Sequence, residues 1–190
     1  LTHKQFVAVD EALRSVKPWP AIGNDKFLSN IDGENRLIDS SHRAIIAKLR
    51  NDINSFSEKV DSVVVINLAS TEKLAVEGNE ILNSLAGFET ALDDNSADIS
   101  PAMLYAYAAI AERIPYGNFT PSVSVDIPAL IDFAEKMDVP IAGKDGKTGQ
   151  TFIKSVLAPA FRSRALRVMG WFSTNILGNR DGLALSNSDS

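Results

Sequence analysis

The chain has 190 residues, 45% of them hydrophobic and 23% charged, with a formal net charge of −5; this is globular composition for one domain or a domain and a half, at roughly 100–200 residues per domain, and its acidic balance offers no basic face to nucleic acid. Having no cysteine, it cannot form disulfides, use thiolate catalysis or build a zinc–cysteine site, which fits a reducing compartment. No run approaches the roughly 18 consecutive apolar residues of a membrane span and no signal-peptide pattern opens the chain, so a soluble, cytoplasmic protein with no membrane partner is expected.

Leu1 stands where an initiator methionine would, and the chain closes on the polar stub Ser186-Asn187-Ser188-Asp189-Ser190, so both ends read as cuts. Val7, Leu13 and Val16 predict a short helix that stops before Lys17-Pro18-Trp19-Pro20, where two prolines enforce extended backbone. The stretch to Ser40 reads as loop. Ser41 is placed to cap a long helix with Ile45, Leu49, Ile53 and Phe56 on one face. The β-branched run Val63-Val64-Val65-Ile66 predicts a strand buried on both faces of a parallel sheet.

Ile81, Leu85, Phe88 and Leu92 predict the next helix, broken at Asp93-Asp94-Asn95-Ser96. Ser100-Pro101 has the pattern of an N-cap followed by proline at the first helical position, opening an alanine-rich helix from Ala102 to Arg113. Its Met103, Tyr105 and Tyr107 are expected to pack rather than to touch a cofactor. Ile114-Pro115-Tyr116 is strand-like. Ile127, Leu130, Ile131 and Ala134 give a helix ending near Met137, and Val139-Pro140-Ile141-Ala142 a short strand. Ile153, Leu157, Ala160 and Phe161 recur at helical spacing, and Ala165 to Thr174 is expected to form a last strand. The alternation predicts an α/β fold with a largely parallel sheet.

Four polar loops leave the C-terminal ends of the predicted strands: Asn67–Thr71, Asn118–Ser122, Gly143–Thr151 and Asn175–Gly182. Open α/β sheets bind ligands at that edge. Gly143-Lys144-Asp145-Gly146-Lys147-Thr148-Gly149-Gln150-Thr151 joins a strand to a helix, where backbone N–H groups and the helix dipole can hold a phosphate. Two readings stand side by side for its charges: Lys147 pairs with a phosphate, or Lys144 and Lys147 are solvated turn residues; Asp145 is a base, or a salt-bridged surface group. Asp181 likewise reads as a site residue or as an Asx-type turn. His3 and His42 are isolated and take neither a catalytic nor a metal-binding role, and no cluster has metal-ligand spacing. Gly143 and Gly146 are separated by two residues where the nucleotide P-loop has four, and no G-x-G-x-x-G is present, so neither a triphosphate loop nor a dinucleotide fingerprint is expected.

The loops resemble those of the inositol-3-phosphate synthase (myo-inositol-1-phosphate synthase) family, in its archaeal and bacterial branch. The segments that carry the resemblance are Val63 to Glu72, Ser100 to Ala106, Asn118-Phe119-Thr120-Pro121-Ser122, Gly143 to Leu157 and Asn175-Ile176-Leu177-Gly178-Asn179-Arg180-Asp181-Gly182, and it extends over most of the chain from about Lys17 onward. The resemblance implies an NAD-dependent isomerase that converts D-glucose 6-phosphate to inositol phosphate by oxidation, enolisation, aldol closure and reduction, acting as a cytoplasmic homotetramer in inositol and phospholipid biosynthesis. It implies a Rossmann-like fold, with residues 1–142 forming part of the NAD-binding domain and 143–190 the start of a catalytic and assembly domain.

By the same resemblance Ala69, Ser70, Thr71, Asn118, Thr120, Asp145, Asn179 and Asp181 contact the cofactor. Thr148, Gly149, Gln150 and Thr151 bind the substrate phosphate, and Asp145, Lys147, Lys154 and Asp181 take catalytic roles. The family often has asparagine at the positions of Ser70 and Arg180, and its eukaryotic branch has an acidic residue at that of Lys144. Its glycine-rich NAD turn and an essential lysine cluster lie outside Leu1–Ser190, which implies a central portion of the enzyme. Two other readings remain: a different NAD-dependent sugar-phosphate oxidoreductase on this scaffold, and an inactive fragment or binding module that keeps the sheet and the phosphate loop.

Overall fold

The computed structural model describes residues 2–23, 34–37, 39, 41–69, 71–73, 79–146 and 149–172. Most helices begin where the sequence supplies a side-chain acceptor for orphan N–H groups. Helix α1 (His3–Ser15) starts on a capping box between Thr2 and Gln5. Two short strands, β1 (Ala21–Ile22) and β2 (Arg36–Leu37), follow and pair in parallel. Helix α2 (His42–Ser57) is capped by Ser41, and strand β3 (Val65–Asn67) succeeds it. After a 3-10 turn at Glu80–Leu82, helix α3 (Leu85–Asp93) is capped by Ser84. Helix α4 (Pro101–Ala111) has Ser100 as its cap and proline in its first turn, as the sequence predicts. Strand β4 (Tyr116–Asn118), helix α5 (Pro128–Met137), strand β5 (Ile141–Ala142) and helix α6 (Gly149–Ser163) complete the order.

Strands β3, β4 and β5 form a parallel sheet in that order, with Val65 opposite Tyr116, Ile66 opposite Gly117 and Asn67 opposite Asn118. Helix α4 lies against β3 and β4 and packs also on α2 and α5. It is buried nearly all round, with Ala102, Ala106, Ala108 and Ala109 allowing close approach and Met103, Leu104 and Ile110 filling the space between layers. A helix apolar on every side belongs in a core. Met103 and Tyr107 are buried there as packing residues. Tyr107 stacks between Phe88 and Phe133, and the Tyr105 hydroxyl accepts the Ile22 N–H at 3.0 Å, tying β1 to α4. At the rim Arg43 joins α2 to α3 and α4, reaching Asp93 at 2.7 Å, the Tyr107 hydroxyl at 3.3 Å, and Glu89. Burial pushes the Tyr107 hydroxyl up to about 12, so it stays protonated and donates to Glu89 at 2.6 Å.

Four expectations need correction. The stretch read as loop before Ser40 holds β1 and β2, too short for an alternating pattern to register. The run Val63–Ile66 does enter a parallel sheet, but the strand is not buried on both faces: Val64 is 59% and Ile66 51% exposed, because the packed helices cover the side occupied by Tyr116 and Asn118. Ile81 sits in the 3-10 turn, and α3 begins at Leu85 because Ser84 caps it. Residues 165–172 are not a strand. A strand needs a partner for its N–H and C=O groups, and here Leu166, Val168 and Met169 are exposed while Phe172 is 97% exposed; Ser173 and Thr174 lie outside the described residues.

Candidate active site

The loops after β3, β4 and β5 meet at the C-terminal edge of the sheet, where the sequence placed them. Asn67 ends β3 with its side chain on the helix side, donating Nδ2–H to Asn118 Oδ1 at 3.2 Å and accepting the Ala69 N–H at 3.1 Å. Its main-chain carbonyl accepts the Phe119 N–H at 3.0 Å. Asn118, only 2% exposed, also accepts from the Thr120 N–H and hydroxyl, at 3.2 and 2.8 Å, and donates to the Ser122 carbonyl at 2.6 Å. Thr120 Oγ1 in turn accepts the Ser122 N–H at 3.2 Å.

The third loop is fastened to the second by main-chain bonds, Asp145 N–H to the Thr120 carbonyl at 3.0 Å and Gly146 N–H to that of Phe119 at 3.3 Å. Two glycines permit this approach. A Cβ on Gly143 would fall 2.6 Å from Val125 Cγ2, and one on Gly146 would fall 2.3 Å from the Phe119 ring. Lys144, read as a solvated turn residue, is exposed and ion-paired to Asp126 at 3.3 Å.

One buried carboxyl joins this framework. Glu72, 6% exposed, donates its N–H to Ser122 Oγ at 3.0 Å, and its Oε1 accepts the Ala102 N–H at 2.9 Å in the first turn of α4. Burial pushes the carboxyl up to about 7, against the pull of the neighbouring Ser100 hydroxyl and the Ala102 N–H. Neither Glu72 nor Ser122 was among the sequence-derived site residues. Ser100-Pro101 was a usable signal, since a helix start leaves N–H groups that need acceptors, but nothing local in Thr71-Glu72-Lys73 tells that this acid is the acceptor.

The predicted site residues divide accordingly. Ala69, Thr71, Asn118, Thr120 and Asp145 are at the edge, with Ala69, Thr71 and Asp145 exposed and Asn118 and Thr120 buried. Gly149, Gln150 and Thr151 form the first turn of α6. Lys154 lies one turn further along, its Nζ 5.7 Å from the centre of the Trp171 ring. Its groove, of about 570 Å³, runs between α6 and the returning chain and is lined by Leu157, Phe161, Leu166 and Val168. Ser70, Lys147, Thr148, Asn179 and Asp181 lie outside the described residues.

This edge suits a dinucleotide in chemistry as well as position. The polar side chains Asn67, Asn118 and Thr120 turn inward, leaving Leu68, Ala69, Thr71 and Phe119 exposed: a largely apolar rim against which a flat ring can lie, with loop backbone close by.

Comparison with known proteins agrees with the geometry. An NAD-binding family model described as myo-inositol-1-phosphate synthase matches residues 1–183. Inositol-3-phosphate synthase 1 of Bacteroides thetaiotaomicron is 43% identical over all of this chain and 44% of its own length. Inositol-3-phosphate synthase of Citrus paradisi is 36% identical over 92% of the chain and 35% of its own. The chain thus spans less than half the length of these relatives. The structure of inositol-3-phosphate synthase from Caenorhabditis elegans superposes with a TM-score of 0.74 at 26% identity, over 83% of this chain and 32% of that one. A myo-inositol-1-phosphate synthase-related protein of Thermotoga maritima, at 20% identity and a TM-score of 0.60 over 84% and 43%, shares the fold. With its parallel sheet, its convergent strand-end loops and a family match along nearly its whole length, this chain belongs to the NAD-binding myo-inositol-1-phosphate synthase family.

Proposed function

We propose that this chain is part of an inositol-3-phosphate synthase that converts D-glucose 6-phosphate to 1D-myo-inositol 3-phosphate by oxidation at C5, enolisation, intramolecular aldol closure and reduction. The observation that carries the reading is the hydrogen-bonded convergence of three strand-end loops, the last leading into α6, in a chain of this family. NAD, when bound, supplies a hydride acceptor and then a hydride donor, so the net redox change is zero.

Ala69, Ser70 and Thr71 lie along the cofactor; Asn118 and Thr120 hold the neighbouring loop in shape for it. Thr148, Gly149, Gln150 and Thr151 bind the substrate phosphate, as the start of a helix does for an anion. Asp145, anchored through its own N–H, serves proton transfer next to the cofactor, and Lys147 and Lys154 supply positive charge for the enolate and the aldol oxyanion. Asn179 and Asp181 complete the reacting centre. Residues 1–142 form part of the cofactor domain and 143–190 open the catalytic and assembly domain of a cytoplasmic homotetramer in inositol and phospholipid biosynthesis.

The test uses the whole reading frame that contains this chain, incubated with glucose 6-phosphate and NAD. Inositol phosphate is expected to form with no build-up of NADH. NADH accumulating in step with sugar consumption would instead mark an ordinary oxidoreductase and sink this reading.

A further inference from the structure

Glu72 is the most heavily buried acid among the described residues, and the chemistry proposed above gives it no role. One oxygen, Oε1, takes the Ala102 N–H, whereas Oε2 is buried without a hydrogen-bond partner among the described residues. A buried carboxyl is a costly acceptor for one N–H, and of the N–H groups at the start of α4 it serves only that of Ala102, since the Met103 N–H is taken by Ser100 Oγ. Helix capping alone therefore does not account for Glu72. What it adds is a connection. Its side chain reaches α4 while its N–H reaches Ser122, in the loop held by Asn118 and Thr120. At the other end of the same short loop, Asn67 Oδ1 holds the Ala69 N–H.

We propose that Glu72 is a positioning residue for the cofactor loop after β3: seated on the first turn of α4 and bonded through its N–H to Ser122, it fixes the far end of the loop whose near end Asn67 fixes. Ala69 and Thr71 are thereby presented at the edge in one conformation, and NAD binds without first ordering them. The inference rests on the assignment of this loop to NAD. Acceptor geometry is what it requires, so a glutamine, whose carbonyl can take the Ala102 N–H, should serve in place of the acid.

The experiment is NAD affinity by calorimetric titration for the whole reading frame, wild type against Glu72→Ala, Glu72→Gln and Ser122→Ala, with melting followed in parallel. Glu72→Ala is expected to weaken NAD binding by about tenfold or more, and Glu72→Gln to stay within about threefold of wild type. A folded Glu72→Ala protein that binds NAD as wild type does, with only its melting temperature lowered, makes Glu72 a structural residue and overturns the proposal. So does a glutamine variant as weak as the alanine one. If Glu72→Ala does not fold, Ser122→Ala removes the other anchor; it is expected to lose about threefold or more, and unchanged affinity there is equally fatal. A wild-type protein that binds NAD but leaves glucose 6-phosphate unchanged sinks the catalytic reading while this comparison stands; one that binds no NAD overturns both.

Discussion

Glu72 and Asn118 carry the edge of the sheet in different ways, and each can be perturbed separately. The Glu72 carboxyl, raised from 4.5 to about 7 by burial, keeps its proton in the folded protein across a window in which the unfolded chain has lost it. Folded protein thus binds more protons than unfolded protein between those values, and stability falls as pH rises through the window, by up to about 3 kcal/mol, then levels off. The titratable groups that couple to it, Tyr105 on α4 and Tyr116 on β4, are both pushed up by burial and stay neutral over this range. Glu72→Gln has no such proton to lose. Denaturant unfolding at about pH 5 and about pH 8 should show the variant gaining on wild type at the higher pH, and parallel pH trends in the two proteins would contradict the shift. Asn118→Ala removes the acceptor of three hydrogen bonds and the donor of a fourth. A loss of about 3 kcal/mol in unfolding free energy is expected, since the buried partners are left unpaired. Asn118 was legible as an edge residue in the sequence, but its inward orientation was not: strand-end position is a matter of chain order, whereas which way an amide turns depends on its partners, here Asn67 across the sheet and Thr120 and Ser122 in its own loop.

At the scale of elements, two of the helix caps were read directly from the sequence, while the cap at Ser84 was missed. Ser41 and Ser100 cap α2 and α4 because a side-chain acceptor before a helix answers a need that is itself local. Ser100→Ala should accordingly cost about 1 kcal/mol in a thermal or denaturant melt. The alanines of α4 mark where three neighbours approach at once, so Ala108→Leu, at a fully buried position, should cost about 1–3 kcal/mol by overpacking; a neutral result would show slack in the core. Two of the failed expectations depended on distant neighbours. Val63–Ile66 has the composition of a doubly covered strand, and coverage is supplied by other elements, not by the run itself. Residues 165–172 have strand-like composition without a strand beside them, and likewise the acid just after the β3 loop takes its partner from a helix start about thirty positions later.

Taken whole, the described chain buries its helical core and leaves apolar groups outside it: Phe6 and Leu13 on α1, Val64 and Ile66 on the bare side of the sheet, and Phe152, Val156 and Phe172 along α6 and after it. Together these are far more than the scattered exposed side chains of an ordinary surface. The 190-residue chain prepared by itself is expected to bind a hydrophobic dye strongly and to scatter light as concentration rises; a monodisperse monomer that ignores the dye would refute this. The parallel sheet has a further consequence during synthesis. Asn67 and Asn118 sit side by side across the two strands although they are 51 positions apart in the chain, and no hairpin can bring them together earlier. At about 5–20 residues per second, β3 waits roughly 3–10 s on the ribosome before its partner exists. For that interval the β-branched run Val63–Ile66 lacks the β4 side of its pairing, and a nascent chain held there is where chaperone capture or misassembly with a neighbour would begin.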